Sequence, residues 1–223
     1  MSAPAYAELQ VTSNFSFLRG ASHPQEMVEQ AKALGLSAIA ITDRNTLAGV
    51  VRAHVKAKEL DLRCLVGARL DFTCGAPSLL CLPQDRAAYG RLARLLTRGQ
   101  RRAPKGECHL TYSDLLENGE GQVLIALPPL VLTPGFEKWL SRLRQDFQRR
   151  VYLAVSRLYG PHDAKRLHRL ATLARNARVA IVATGDVLSS ARIWSTAGPW
   201  RYRCVSVLAA PPAPNSSTIW SPS

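Results

Sequence analysis

The chain alternates short, strongly apolar runs with longer amphipathic segments, and residues 38–42 (AIAIT) form the clearest of the apolar runs. A run of this kind is typical of a strand buried on both faces, as in a parallel sheet or an α/β barrel. Charged side chains follow it at once, at Asp43 and Arg44. Because functional side chains collect at the carboxyl ends of barrel strands, Thr42, Asp43 and Arg44 are the first candidates for a site.

The apolar periodicity predicts strands and helices in alternation along residues 6–184. The predicted strands cover residues 6–12, 38–42, 63–72, 78–82, 122–127, 151–155 and 179–184. The predicted helices cover approximately residues 22–35, 46–60, 85–97, 112–117, 136–147 and 161–176. Strands separated by helices, without a glycine-rich nucleotide-binding pattern, favour a barrel-like α/β domain over an open nucleotide-binding sheet.

A basic stretch follows the third predicted helix. It contains two glycines and four cationic residues, Arg98, Arg101, Arg102 and Lys105. We expect a mobile, solvated loop there, because glycine and unpaired charge both disfavour regular structure.

Length and cysteine usage limit the class of protein. The 223 residues suffice for one sizeable domain with its own core. The five cysteines show no metal-like spacing, which suits a reducing cytoplasm better than a disulfide framework. Three of them, Cys64, Cys74 and Cys81, have apolar neighbours in the sequence, so we expect small core residues. There is no secretory signal pattern and no continuous apolar stretch of about 18 residues, so we expect a cytoplasmic protein without a membrane span.

The formal net charge of +13 comes from 29 Lys and Arg against 16 Asp and Glu. Such an excess draws a protein towards polyanions. Basic residues are concentrated at 91–105, 142–150 and 165–178, where they could follow a phosphate backbone. They are equally typical of solvated helix faces, and aromatic side chains that could stack on bases are scarce within them. A stand-alone nucleic-acid binding module is therefore the weaker interpretation.

The composition changes after Asp186. Residues 187–223 contain no Asp, Glu or Lys, but hold three of the four tryptophans, Trp194, Trp200 and Trp220. No strand or helix period persists there. We therefore divide the chain into a domain at 1–186 and an irregular tail at 187–223. A disordered tail usually avoids Trp and carries charge, so an out-of-frame reading of a GC-rich gene is the favoured explanation.

Several phrases resemble the N-terminal PHP (polymerase and histidinol phosphatase) domain of bacterial error-prone DNA polymerases of the C family, relatives of the polymerase III alpha subunit. They are YAELQVTSNFSFLRGASHP, ALGLSAIAITDRNTLAGVV, VGARLDF, DRAAYGRLARLLTRGQRRAPKGECHLT and VATGDV, in order between residues 5 and 186. The set is specific, whereas any one phrase alone is weak. The resemblance implies a distorted (β/α)7 barrel that in active relatives holds up to three divalent metals and hydrolyses phosphoesters.

The resemblance also shows where this chain departs from the active pattern. The positions of the first-strand His-x-His are Gln10 and Thr12, and the Thr-Asp-His motif is Thr42, Asp43 and Arg44. The third-strand Gly-x-Glu ends at Arg69, and the late Asp-x-His begins at Asp186 and ends at Leu188. His109, in ECHLT, is the one histidine expected to face the barrel mouth, although a lone His is more often structural.

Hard divalent ions need several anionic oxygens or neutral imidazoles that converge on one point. Gln10 and Thr12 are poor ligands, and Arg44 and Arg69 bring fixed positive charge. We therefore predict no metal in this chain. In its place the two guanidinium groups would pair with Asp43 and with Asp186 or Asp71 to keep the pocket neutral.

Three functional hypotheses follow from the resemblance. The first is a non-catalytic PHP fragment that scaffolds a translesion DNA polymerase module. That module would use Mg²⁺ in a palm domain absent from this chain and would contact DNA, the sliding clamp and accessory proteins. The second is a metal-dependent phosphoesterase of the PHP superfamily, which the lost ligands disfavour. The third is the nucleic-acid binding module considered above.

Overall fold

The computed structural model describes residues 5–190, in which one curled sheet is covered by helices on its outer side. Its strands are β1 (Ala7–Val11), β2 (Ala38–Arg44), β3 (Arg63–Leu70), β4 (Leu79–Pro83), β5 (Gln122–Ala126), β6 (Val151–Val155) and β7 (Ala180–Ala183). The helices are α1 (Pro24–Ala33), α2 (Val50–Glu59), α3 (Arg86–Arg102), α4 (Tyr112–Asn118), α5 (Pro134–Phe147) and α6 (Asp163–Asn176), with a 3-10 turn at Gln148–Arg150. Each predicted strand and helix is present, with shifts at its ends.

The seven strands are hydrogen-bonded in the order in which they occur in the sequence. The pairs β1–β2, β2–β3, β5–β6 and β6–β7 are parallel, whereas β4 is antiparallel to both β3 and β5. No helix lies between β3 and β4, in agreement with the predicted helices, none of which falls between residues 72 and 78. A parallel crossover needs a dozen or more residues, and the short connection through Gly75, whose φ is +75°, instead reverses the chain.

The chain after β7 brings the sheet back to β1. Val187 forms a parallel bridge with Val11. Its carbonyl oxygen accepts from the Thr12 amide at 2.9 Å, and its amide donates to the Gln10 carbonyl at 2.9 Å. The result is a seven-stranded, curled half-barrel, which confirms the predicted α/β architecture of the distorted (β/α)7 type.

The strand β2 is buried on both faces, as its continuous apolar run predicts. Ile39 and Ile41 pack with Met27, Val28 and Ala53 beneath α1 and α2. Ala40, between them in the sequence, faces the inner side of the curl with Leu80 and Ile125. A larger cluster, which includes Leu92, Leu124, Leu140 and Leu170, joins the sheet to α3, α4, α5 and α6. The carboxyl end of β2 is therefore held rigidly from two sides.

The basic stretch after the third predicted helix is not a loop along most of its length. The helix α3 continues to Arg102, and Arg102 donates from both terminal nitrogens to the Asp114 carboxylate, at 2.7 and 2.9 Å. That hydrogen bond, together with those from Thr111, keeps the pKa of Asp114 well below its usual range, although burial opposes the shift. Pairing with a buried carboxylate on α4 supplies the counter-charge that the local sequence lacks.

Cys74, expected in the core, is exposed, whereas Cys81 is buried.

The four described residues that follow Asp186 contact the rest of the domain. The Ala21 amide donates to the Leu188 carbonyl at 2.9 Å, and the Ser190 amide donates to Ser22 Oγ at 2.9 Å. The predicted out-of-frame tail otherwise lies outside the described residues. Within residues 5–190, no helix is both long and apolar enough to cross a membrane.

Candidate functional site at the carboxyl ends of the strands

The predicted site residues come together at one edge of the sheet. Six of the seven strands point in the same direction, so the loops that follow β1, β2, β3 and β7 share that edge. Gln10, Thr12 and Asp43 are buried there, whereas Asp186 is exposed. The Thr42 hydroxyl accepts from the Val11 amide at 3.1 Å and so ties β2 to β1 beneath the site.

The Asp43 carboxylate is surrounded by donors from the loop that follows β1. Its Oδ1 accepts from the Ser13 amide at 2.8 Å and from Ser16 Oγ at 2.7 Å, while its Oδ2 accepts from Ser13 Oγ at 2.7 Å. Ser16 Oγ in turn accepts from the Arg44 amide at 2.9 Å. A Cβ added to Gly49 would lie 2.6 Å from Oδ2, so the remaining side is closely approached by backbone. Asp43 therefore organises the loop instead of projecting towards a ligand.

Arg44 and Arg69, the two arginines at positions where the resemblance implies metal ligands, both pair with the Asp71 carboxylate. Arg44 Nε forms an ion pair with one carboxylate oxygen, and Arg69 Nε donates to the other at 3.0 Å. Ser78 also donates to Asp71. Burial raises the pKa of Asp71, but the Ser78 hydrogen bond and the two guanidinium charges outweigh it, so the net pKa lies below its usual value. The predicted pairing with Asp43 is wrong, because serine donors occupy that carboxylate, whereas both arginines contact Asp71.

Asn45 fixes the backbone beneath this cluster. Its side-chain oxygen accepts from the Asp71 amide at 3.0 Å, and its side-chain nitrogen donates to the Asp71 carbonyl at 3.3 Å. Asn45 itself has a φ of +52°, a conformation that Asn tolerates better than most residues. The ends of β2 and β3 are thereby joined by the Asn45 amide and by Arg44.

Asp186 belongs to a second, separate set of contacts between β1 and the chain after β7. It accepts from Gln10 Nε2 at 2.6 Å and has a φ of +51°. Gln10, which stands where the resemblance implies a histidine, is thus a neutral amide that donates a hydrogen bond to Asp186. Asp186 therefore has a neutral hydrogen-bond donor, whereas Asp71 is paired with two guanidinium groups.

Glu8, a buried carboxylate that was not among the predicted site residues, also joins β1 to the chain after β7. Its Oε1 accepts from the Gln10 amide at 2.9 Å and the Gly185 amide at 3.0 Å, while its Oε2 accepts from Tyr6 Oη at 2.8 Å. Burial raises the pKa of Glu8 above its usual value despite these hydrogen bonds. Glu8 and Gln10 lie two residues apart and share one face of β1, which is the signal that could have identified the pair.

Glu8→Gln is expected to change the pH dependence of stability. A carboxyl whose folded-state pKa is raised contributes stability that is present below the unfolded-state pKa and is lost as the pH rises through the folded-state pKa. The side-chain amide of the variant keeps an acceptor for the Gln10 and Gly185 amides. The free energy of unfolding of the variant should therefore rise relative to that of the wild type as the pH rises from 4 to 8. We expect a relative gain on the order of 1 kcal/mol, the size of a typical net hydrogen-bond effect.

Urea unfolding at several pH values measures this difference. Glu120→Ala, at a mostly exposed side chain, is the matched control and should show no such trend. A constant difference between wild type and Glu8→Gln across the pH range would contradict the assignment of Glu8 as a buried, titrating group.

His109 does not take part in either set of contacts. Its Nε2 lies 3.0 Å from Glu107 Oε2, in a partly exposed pair. Its amide donates to the Gly99 carbonyl at 3.0 Å, so its backbone secures the chain after α3. These contacts give His109 a structural role, which is the more common role of a lone histidine.

The donor set does not suit a metal centre of the kind that the resemblance implies. Among residues 5–190, no group of three or more His, Cys, Asp and Glu side chains is arranged to hold a metal ion. Asp43 is occupied by three protein donors, and Asp71 is occupied by two arginines and a serine. A cation would have to displace these donors and approach two fixed positive charges.

Comparison with known proteins places residues 8–157 in the family described as PHP domain. The chain is 58% identical over 188 residues to an error-prone DNA polymerase of Caulobacter vibrioides, a match that covers 84% of this chain and 17% of that protein. An error-prone DNA polymerase of Bradyrhizobium sp. is 49% identical over 193 residues, covering 82% of this chain and 16% of that protein. The chain therefore spans about a sixth of the length of these curated relatives.

Solved structures share the fold at much lower identity. A protein assigned as a metal-dependent phosphoesterase, from Bifidobacterium adolescentis, has a TM-score of 0.62 and 17% identity, with 83% of this chain and 89% of that chain covered. An amidohydrolase from Chromobacterium violaceum, with bound sulfate and no metal, also has a TM-score of 0.62 and 17% identity, covering 83% and 88%. At this identity the likeness concerns architecture alone.

Proposed function

The chain belongs to the PHP domain family, and from that premise we propose that it is the PHP part of an error-prone DNA polymerase and serves there as a scaffold without hydrolytic activity. The similarity at 58% identity to a polymerase of that name supports the first half of the proposal. The polymerase chemistry itself, with its Mg²⁺, would reside in the part of the relatives that this chain does not match. That part would also contact DNA, the sliding clamp and accessory proteins, and the whole polymerase would act in the cytoplasm.

One observation carries the second half of the proposal. Arg44 and Arg69 stand where the resemblance implies a histidine and a glutamate ligand, and both are paired with Asp71. A hydrolytic PHP site needs a metal-bound water of lowered pKa. Two arginines placed at the strand ends supply positive charge without an exchangeable water, so they can hold the loops together but cannot generate the nucleophile.

Metal analysis and a phosphatase assay test this proposal. The purified 223-residue chain is expected to contain substoichiometric zinc and manganese, and to release no phosphate from p-nitrophenyl phosphate in the presence of Mn²⁺. The fourfold variant Gln10→His, Thr12→His, Arg44→His and Arg69→Glu restores the ligand types of the active pattern. It should bind more metal than the wild type, which shows that the assay can detect a site at this position.

A metal-dependent phosphoesterase is the competing function, and the fold shared with the protein from Bifidobacterium adolescentis is the observation that favours it. Stoichiometric metal in the wild-type chain, together with phosphate release that a chelator abolishes, would establish that function. The same result would refute a purely structural role for Arg44 and Arg69.

A further inference from the structure

Apolar side chains with high exposure are concentrated at the same edge of the sheet as the site. Among residues 5–190, the most exposed large apolar side chains are Leu18 at 89%, Phe17 at 86%, Leu130 at 78% and Val131 at 75%. Phe17 and Leu18 follow β1, and Leu130 and Val131 follow β5. Exposed apolar side chains that occur singly are ordinary on protein surfaces, but a concentration on one edge marks an interaction site.

These side chains lie in loops that follow neighbouring strands of the sheet. The loop after β6 adds Leu158 and Tyr159, and the chain after β7 adds Leu188. The order β5, β6, β7 is set by the sheet, and Val187 brings β7 next to β1 through its bridge to Val11. We call this set the apolar arc. It consists of Phe17, Leu18, Leu130, Val131, Leu158, Tyr159 and Leu188.

The other part of the same edge is polar. The ends of β2 and β3 carry Arg44, Arg69 and Asp71, which satisfy one another. The mouth is therefore divided between a self-paired ionic cluster and an apolar arc whose side chains are exposed. Burying one large aliphatic or aromatic side chain contributes about 1.5–3 kcal/mol, so several exposed together represent a strong drive towards association.

One arginine lies over a ring of the apolar arc, and a second lies over Phe15, two residues before Phe17 in the sequence. The Arg157 guanidinium lies over the Tyr159 ring at 5.4 Å, and the Arg52 guanidinium lies over the Phe15 ring at 5.4 Å. Aromatic residues and arginine are enriched in protein–protein interfaces. A partner that fits this surface would present apolar side chains to the arc and carboxylates to its margin.

The position of Ser190, the last described residue, indicates which partner this is. Ser190 is held to Ser22 at the carboxyl edge, beside Leu188, whereas the described chain starts before β1, at the opposite edge. The error-prone polymerases that match the chain are about six times as long as the matched region. A domain joined after residue 190 would therefore begin next to the arc.

We propose that the apolar arc is the surface on which the PHP domain docks the remaining polymerase part of its relatives. This inference rests on the proposed scaffold function and names the face that performs it. Nucleic acid fits the arc less well, because bases stack on aromatic rings, while five of the seven side chains of the arc are aliphatic.

Binding in trans tests the proposal. The probe is the Caulobacter vibrioides error-prone polymerase without the region that matches this chain, titrated into the labelled 223-residue chain. The arc variant is Phe17→Ser, Leu130→Ser and Val131→Ser. The matched control is Leu34→Ser and Leu116→Ser, which removes exposed apolar side chains away from the arc. We expect the arc variant to raise Kd by about 30-fold or more, and the control to change it by less than about twofold.

The other outcomes separate the two proposals. If the wild-type chain and the arc variant bind the probe equally, the arc is not the interface, although the scaffold function stands. If the wild-type chain does not bind the probe, the scaffold function itself fails. Self-association of the chain, or salt-dependent binding to primer–template DNA, that the arc variant alone abolishes would assign the arc to a second copy or to nucleic acid and overturn the inference. Thermal melting of both variants shows that their folds are retained.

Discussion

Asp43→Ala is expected to lower the free energy of unfolding by about 3–5 kcal/mol, the largest effect of any single site residue. The substitution leaves the Ser13 amide and the hydroxyls of Ser13 and Ser16 without their acceptor. Both serines are buried, at 0% and 4% exposure, so water cannot replace the carboxylate at low cost. The loop after β1 should loosen together with the end of β2.

Urea unfolding at pH 7 measures this effect, and hydrogen exchange locates it. Asp43→Asn is the informative partner variant, because it keeps one acceptor oxygen and Ser13 Oγ can rotate to accept. We expect it to cost about 1–2 kcal/mol. Glu120→Ala should stay within about 0.5 kcal/mol of the wild type. A cost below about 1 kcal/mol for Asp43→Ala would show that the loop does not depend on this carboxylate.

Asp71→Ala is expected to destabilise the chain by about 2–3 kcal/mol, because it leaves two guanidinium groups adjacent without a counter-charge. The loss is smaller than at Asp43, since Arg44 is 47% exposed and water screens part of the repulsion. The pKa of Asp71 is lowered in the folded state. Its contribution is therefore present above the unfolded-state pKa and is lost as the pH falls through the folded-state pKa.

Two measurements test this assignment. Wild type and Asp71→Ala should differ most at neutral pH and converge in acid, which is the opposite of the trend expected for Glu8→Gln. The double variant Asp71→Ala with Arg44→Gln should recover part of the loss, because the unpaired cation has been removed. Additive effects of the two substitutions would mean that Arg44 and Asp71 are not energetically coupled.

Local pattern was sufficient for the order of strands and helices and failed where distant residues intervene. The apolar run of β2 and the capping residues of α1, His23 with Glu26, act over a few positions and can be recognised in the sequence. The extension of α3 to Arg102 depends on Asp114, which belongs to a different helix. No short window of sequence contains that partner.

The resemblance located the site, but not its connections. Gln10, Thr12, Asp43, Arg44, Arg69 and Asp186 do gather at one edge of the sheet, because parallel strands end together. The resemblance did not decide which carboxylate each arginine contacts. It also gave no role to Glu8, Ser13 or Ser16. Those pairings depend on side-chain reach across strands whose residues lie far apart in the chain, and several acceptors compete for each donor.

The amino-acid sequence by itself determined the strand and helix pattern, the family and the positions that depart from the ligand pattern implied by the resemblance, because each of these depends on residue identity and short-range spacing. Only the tertiary structure decided that Arg44 and Arg69 share Asp71, that the Asp43 carboxylate accepts from the loop after β1, and that exposed apolar side chains lie in loops at the same edge of the sheet. The physical reason is that hydrogen-bond pairing and burial are properties of the neighbours that folding brings together.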